Sequence, residues 1–323
     1  MGSSIYSIEY YLPESIIDNK QLSQEFPEWE AEKIQEKVGI RNRHICSKDE
    51  TALDLAYFAA EKVLQNFNRD AVDFVILCTQ SPDYFLPTGA CILQDKLKLR
   101  KDIGAFDFNL GCSGFIYGLA LSKSLINSNI ASCVLLIMAE SYSKHIHPSD
   151  KSNRSIFGDG AAATLVVSSE EEKIHEFLLG TDGSGKDNLV VKRGGMRFHG
   201  SENKESVKNF LYMNGPEIFN FTLDIVPDLV KNIVVKNNIS IEQVDYIIFH
   251  QANKYMLEYL CKKLKCDPAK FYINMLETGN TVSATIPIAM KDCLDKGILK
   301  SGNKVLFAGF GVGYSWGATI ITI

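Results

Sequence analysis

The chain has 323 residues, 46% of them hydrophobic and 23% charged, with a formal net charge of −5. This length allows one large domain or two of ordinary size, and the composition is that of a soluble globular protein. The acidic balance gives no case for a nucleic-acid partner, and no apolar run approaches the ~20 residues of a membrane span. The N-terminus lacks the basic and apolar regions of a secretory signal, and the eight cysteines are scattered without a CxxC pair. We therefore expect a reduced, cytoplasmic protein that contacts neither membrane nor nucleic acid.

Short runs rich in valine, isoleucine and leucine alternate along the chain with longer amphipathic stretches. The short runs predict buried strands at residues 72–77, 134–138, 162–167, 246–249 and 304–308. The longer stretches predict helices at residues 51–64, 114–126, 216–235, 254–264 and 283–294. This alternation is typical of an α/β protein.

The chain also resembles itself. Residues 72–78 match residues 244–250, residues 134–136 match 305–307, and Gly111-Cys112 aligns with Gly279-Asn280. These matches occur in the same order and at nearly the same separation, which predicts two duplicated α/β halves. We expect the boundary between the two halves in the charged stretch at 168–173, so that the halves are residues 1–170 and 171–323.

Cys112 is the first candidate for chemistry, because the segment FDFNLGCSGF at 106–115 predicts a strand, a glycine-flanked turn and the start of a helix. A helix N-terminus stabilises a thiolate, so we expect a lowered pKa for this thiol. Such a turn can also direct backbone N–H groups at a developing oxyanion.

Two further polar residues stand at the same kind of position. His250 directly follows the strand at 246–249, and Asn280 lies in a glycine-flanked turn before a helix. Ligands of open α/β sheets bind at the carboxyl ends of strands, and a duplicated chain can bring both sets of ends together. A cysteine, a histidine and an asparagine there can form an acyl-transfer site.

The motifs around these residues resemble those of the β-ketoacyl-acyl-carrier-protein synthase III family of the thiolase superfamily. The resemblance covers nearly the whole chain, in order: YLPE at 11–14, GIRNRH at 39–44, the Cys112 segment, FGDGA at 157–161, HQAN at 250–253, GNT at 279–281 and GFGVGYSWG at 309–317. It implies a thiolase-like fold, in which two duplicated α/β halves pack as five α-β-α-β-α layers, and a homodimer.

The resemblance also implies a two-step mechanism without a metal or cofactor. Cys112 would take an acyl group from an acyl-CoA or acyl-carrier thioester. Malonyl-carrier protein would then lose CO₂ and attack the acyl-enzyme, giving a 3-oxoacyl product, while His250 and Asn280 hydrogen-bond its thioester carbonyl. The backbone N–H groups of Cys112 and Val312 would form the oxyanion hole.

Several positions depart from the family pattern. Lys33, Lys37 and Lys151 stand where family members that use acyl-CoA carry tryptophan and arginine, and Trp29 is displaced by one helical turn. Because lysine does not stack on adenine as arginine does, the primer could instead come on a carrier protein.

Two more positions bear on the partners and the substrate. Tyr255 replaces an arginine of the carrier-docking face, whereas Lys254, Lys262 and Lys263 remain as candidate docking residues for the acyl carrier protein. Leu86 takes the place of the residue that limits acyl length from across the dimer, and its size allows a longer or branched primer.

Two other functions are also compatible with the sequence. The acyl group on Cys112 could pass to an alcohol, an amine or water without condensation. The chain could also be a non-catalytic subunit of a heterodimer, but such subunits usually lose the nucleophile, and Cys112, His250 and Asn280 are all present.

Overall fold

The computed structural model describes residues 2–198 and 209–323. The strands are β1 (Gly2–Tyr11), β2 (Ile16–Asp18), β3 (Asn42–His44), β4 (Phe74–Cys78), β5 (Gly104–Phe108), β6 (Cys133–Glu140), β7 (Gly160–Ser169), β8 (Ile174–Thr181), β9 (Leu189–Val191), β10 (Leu211–Met213), β11 (Tyr246–Phe249), β12 (Lys304–Gly311) and β13 (Ser315–Thr322). The helices are α1 (Asn19–Glu25), α2 (Ala31–Val38), α3 (Ala52–Leu64), α4 (Gly89–Lys96), α5 (Gly114–Asn127), α6 (Lys151–Arg154), α7 (Gly215–Lys236), α8 (Lys254–Lys263) and α9 (Thr285–Asp295).

The two large sheets repeat one topology. In the first, with order β1-β7-β6-β4-β5, β4 runs parallel to β6, and β6, β7 and β1 pair antiparallel in turn. In the second, with order β11-β12-β13-β8, β11 runs parallel to β12, and β12, β13 and β8 pair antiparallel in turn. The expected duplication of an α/β unit is therefore visible in the strand order.

The sheets and helices stack in five layers. α5 and α9 lie between the two sheets, α3 and α4 cover the outer face of the first sheet, and α7 and α8 lie on the outer side of the second. The sequence explains why α5 is central: Phe115, Ile116 and Leu119 are fully buried, and Gly118 packs against a neighbouring strand. A helix that is apolar around most of its circumference has to be covered on more than one side.

The predicted strands and helices are present, with small differences at their ends. Strand β11 has the predicted bounds, whereas α9 begins two residues later than predicted, because residues 282–284 form a separate 3-10 turn. The predicted set did not include strands β1, β8 and β13 of the large sheets, whereas the strand expected before Cys112 is β5.

The carboxyl ends of the parallel strands lie on the same side of the molecule. β4 ends at Cys78 beside the end of β6, and β11 ends at Phe249 beside β12. Cys112 precedes α5, and Asn280 precedes α9, the two helices between the sheets. The layers therefore bring both glycine-flanked turns to the same region as His250.

Candidate active site

Cys112 lies in the turn between β5 and α5, and strand β12 covers it. The residue is only 8% exposed. A Cβ atom built on Gly311 would lie 2.9 Å from the Sγ atom of Cys112, and one on Gly309 would lie 2.7 Å from its carbonyl oxygen. Both distances are shorter than a normal contact, so β12 can approach the nucleophile this closely only with glycine at these positions.

The expected low pKa of the Cys112 thiol is wrong. Burial, followed by the negative charge of Glu140, raises the pKa of this thiol to about 12, although the backbone N–H groups of Cys112 and Val312 act in the opposite direction. The helix N-terminus is present as predicted, but the second half of the chain shields it from water and the desolvation effect dominates. The resting nucleophile is therefore the neutral thiol.

His250 follows β11 and is held on both its backbone and its ring. Its backbone N–H donates to the carbonyl of Ala308 in β12 at 2.8 Å. Its Nδ1 atom lies 2.8 Å from the Oγ1 atom of Thr285, which also reaches the carbonyl oxygen of Val282 at 3.0 Å. Burial lowers the pKa of His250 to about 3, so the imidazole is neutral.

The side-chain amide of Asn280 is fixed by two hydrogen bonds. Its Oδ1 atom accepts from the backbone N–H of Val282 at 2.9 Å, and its Nδ2 atom donates to the carbonyl of Ala252 at 3.3 Å. Within the described residues, Nδ2 has no second hydrogen-bond partner. The turn needs positive φ values at Gly279 and at Val282, and such backbone is costly for a β-branched residue, as is often seen at functional sites.

Val282 connects the three candidate residues. It orients the Asn280 amide, its carbonyl accepts from the Thr285 hydroxyl beside His250, and its side chain belongs to the same apolar cluster as Cys112. We call this set the Cys112 cluster: Cys112, Tyr142, Ile146, Phe157, Leu189, Leu211 and Val282. The structure thus brings together the three residues that the sequence singled out.

Three residues near the site were not singled out from the sequence. Thr285 contacts the His250 ring, Tyr142 packs beside Phe157 in the Cys112 cluster, and Glu140 is fully buried at the end of β6. Only Glu140 had a usable signal, because it is a carboxylate that directly follows the apolar run of β6.

Leu86 lies away from the Cys112 cluster of its own chain. Its side chain is 82% exposed, and those of Tyr84 and Phe85 beside it are 62% and 77% exposed. An exposed apolar segment of this kind is typical of a contact surface.

A cavity with a volume of about 1110 Å³ lies at the N-terminal helices. Trp29, Lys33, Lys37 and Tyr255 line it. The Nζ atom of Lys151 lies 5.2 Å from the centre of the Trp29 ring and 2.6 Å from a carboxylate oxygen of Glu28. The displaced Trp29 therefore faces the lysine that replaces the second arginine.

The three candidate docking lysines lie on α8 and are exposed, while Met256, Leu257 and Leu260 are buried on its other side. Lys254 forms a 3.7 Å ion pair with Glu258. Lys263 donates to the carbonyl of Leu223 at 2.6 Å, which leaves Lys262 without a hydrogen bond or ion pair among the described residues.

Within residues 2–198 and 209–323, no group of three or more histidine, cysteine or acidic side chains could hold a metal ion. In the same part of the chain, no helix has both the length and the apolar character of a membrane span.

A thiolase-like fold with a buried cysteine, histidine and asparagine at converging strand and helix ends defines the class of thiolase-type acyltransferases. The family model described as 3-oxoacyl-[acyl-carrier-protein] synthase III matches residues 106–183, and that of its C-terminal part matches residues 234–323. The chain belongs to the β-ketoacyl-acyl-carrier-protein synthase III family.

Individual relatives agree over the full length. A β-ketoacyl-acyl-carrier-protein synthase III of Clostridium perfringens is 40% identical over 316 residues, which are 97% of each chain. A crystal structure of a 3-oxoacyl-acyl-carrier-protein synthase III matches with a TM-score of 0.98 and 44% identity, covering all of both chains. The corresponding enzyme of Pseudomonas aeruginosa matches with a TM-score of 0.91 and 30% identity, covering 100% of this chain and 98% of that one.

Proposed function

We propose that this enzyme transfers an acyl group from a thioester to Cys112 and then condenses it with malonyl-acyl-carrier protein, releasing CO₂ and a 3-oxoacyl-carrier product. One observation carries the proposal: a buried thiol, a neutral imidazole and an oriented amide lie at one site with two backbone N–H groups beside the sulfur. These groups fit charge that develops on thioester oxygens.

In the first step, the Sγ atom of Cys112 attacks the carbonyl carbon of the primer thioester. The oxygen of the tetrahedral intermediate accepts hydrogen bonds from the backbone N–H groups of Cys112 and Val312. Because the pKa of the Cys112 thiol is raised, its proton leaves as the new C–S bond forms and ends on the departing thiolate. The step is balanced without any other acid or base.

In the second step, loss of CO₂ from the malonyl group leaves a carbanion whose charge is shared with the thioester oxygen. The free Nδ2 proton of Asn280 and the Nε2 atom of His250 bind this oxygen. Donation from Nε2 requires the tautomer in which Nδ1 is the acceptor, so the Thr285 hydroxyl has to turn its single proton from the Val282 carbonyl to Nδ1 for this step. The carbanion attacks the acyl carbonyl, and the departing thiolate of Cys112 takes up a proton from solvent. Neutral donors suffice, because decarboxylation itself supplies the electron pair.

We propose that the acyl carrier protein that brings the malonyl group docks on Lys254, Lys262 and Lys263. All three are exposed on one helix, next to the cavity that Tyr255 lines. Lys151 forms an ion pair with Glu28 and lies over the Trp29 ring, so less of its positive charge is available to a nucleotide phosphate at this cavity. This favours a carrier protein as the source of the primer.

We further propose a homodimer in which Leu86 enters the acyl pocket of the second copy. β5 is an edge strand of the first sheet, and an unpaired edge is a template for a second chain. The exposed segment with Tyr84, Phe85 and Leu86 provides apolar surface for the same contact. Light scattering gives the mass in solution, and Leu86→Phe in the dimer should narrow acceptance of long primers while acetyl transfer continues.

Two coarser proposals complete the description. We place the protein in the cytoplasm, since all eight cysteines are unpaired. We assign residues 1–170 and 171–323 as the repeat units, because the first sheet ends with β7 at Ser169 and the second begins with β8 at Ile174.

Intact-protein mass spectrometry tests the proposed function directly. The enzyme is incubated with acyl-CoA and acyl-carrier thioesters of several lengths, and the added mass identifies the primer and its carrier. Addition of labelled malonyl-carrier protein should then release CO₂ and remove the adduct, and Cys112→Ala should form no adduct. Loss of the adduct to an alcohol, an amine or water without CO₂ release would favour simple acyl transfer instead.

A further inference from the structure

Glu140 is a buried carboxyl group that the two-step mechanism does not use. It is the last residue of β6 and has no exposed surface. Within residues 2–198 and 209–323 no lysine, arginine or histidine forms an ion pair with it. Burial raises the pKa of Glu140 to about 8, although its hydrogen bonds act in the opposite direction, so the carboxylate form predominates above that pH.

On one side, Glu140 binds the segment that follows β4. Its two carboxylate oxygens accept from the backbone N–H of Gln80 at 3.0 and 3.1 Å, and one accepts from the Ser81 hydroxyl at 2.9 Å. All of these partners are donors, which is the arrangement that a carboxylate requires.

The end of β4 and the segment after it in turn brace the strand and turn that lead to Cys112. The Cys78 thiol lies 3.0 Å from the carbonyl oxygen of Leu110, and the Thr79 backbone N–H donates to the carbonyl of Phe108 at 3.2 Å. The Gln80 side-chain amide donates to the Asn109 side chain at 3.1 Å. Residues 78–80 thus hold residues 108–110 in place through one hydrogen bond each.

On its other side, Glu140 reaches the second half of the chain. The buried hydroxyl of Ser283 lies 3.4 Å from a Glu140 carboxylate oxygen and is its donor. Ser283 stands between Asn280 and Thr285, the residue that contacts the His250 ring.

We propose that Glu140 is a positioning residue for condensation: its carboxylate joins the segment that braces the Cys112 turn to Ser283 in the turn that carries Asn280. The inference rests on the proposed condensation at Cys112. It predicts that the connection to Ser283 matters more for condensation than for acylation, because the support of the Cys112 turn runs through residues 78–80.

The charge of Glu140 has a second effect on the same site. Above a pH of about 8, where Glu140 is ionised, its negative charge near the thiol disfavours the Cys112 thiolate. The other ionisable groups that face Glu140 or its partners are Cys78, Tyr142, His145 and Asp159. Replacement of Glu140 by glutamine removes the charge with little change of shape.

Ser283→Ala tests the connection, with Ser122→Ala as a matched control that removes a buried serine hydroxyl inside α5. Acylation of Cys112 is measured by mass spectrometry in a single turnover, and condensation is measured on the isolated acyl-enzyme. We expect acylation of Ser283→Ala within about twofold of the control and condensation reduced about tenfold or more, since small misplacements have large kinetic effects. Equal loss in both steps, or no loss, would overturn the proposal.

Glu140→Gln provides a readout that does not depend on turnover. In Glu140→Gln, the pH dependence of Cys112 alkylation by iodoacetamide should lie at lower pH than in the wild type, because the carboxylate that disfavours the thiolate is absent. An unmoved profile would contradict an electrostatic contact between these two groups. If the wild type released no CO₂ from malonyl-carrier protein, the proposed function would fail, whereas the alkylation profile would still report on Glu140.

Discussion

The approach of β12 to Cys112 makes Gly311→Ala a sensitive perturbation of the nucleophile. The added methyl carbon would lie 2.9 Å from both the Cβ and Sγ atoms of Cys112. Since carbon atoms pack at about 3.5 Å or more, the two groups have to separate by about 0.6 Å. A misplacement of about 1 Å can reduce a rate ~100-fold, so we expect acylation to slow by roughly tenfold to 100-fold. Overpacking should also destabilise the fold by about 1–3 kcal/mol.

The assay is single-turnover acylation, followed by mass spectrometry, together with thermal unfolding. Gly183→Ala is the matched control, because a Cβ atom at Gly183 meets no atom within 4 Å and its φ is not in the left-handed region. Acylation of Gly311→Ala at the rate of this control, together with unchanged thermal stability, would refute the assigned contact. A loss of stability without any loss of rate would show that β12 moves and Cys112 does not.

Three further predictions concern other parts of the site. Asn280→Ala should still acylate Cys112 but lose CO₂ release from malonyl-carrier protein by about 100-fold; equal loss of both steps would make Asn280 structural. His250 has a folded-state pKa near 3 against an ordinary value of 6.5, so the unfolded chain binds the extra proton between these values. The free energy of unfolding should therefore fall as the pH drops from about 6.5 toward 3, by up to about 1.4 kcal/mol per pH unit from this group, and denaturant titrations of His250→Gln should show a shallower slope. Lys262→Glu should raise the KM for malonyl-carrier protein severalfold at low salt, with Lys101→Glu as control; an unchanged KM would exclude Lys262 from docking.

The amino-acid sequence by itself determined the class of fold and the positions of the catalytic candidates. Strand β11 and the glycine-flanked turns at Cys112 and Asn280 follow from local patterns, because apolar runs and glycine act through neighbours in the chain. The duplication then indicated that these positions would meet, and the motif resemblance led to the family that the full-length comparisons show.

Only the tertiary structure decided the electrostatic state of the site. The thiol pKa of Cys112 was expected to be low from the nearby helix start, but β12, about 200 residues away in the chain, covers the sulfur and burial raises it. Thr285 and Glu140 became significant only through contacts between the two halves. Local pattern predicts where a residue stands in a strand or helix, whereas pKa and hydrogen bonding depend on which distant groups displace water from it.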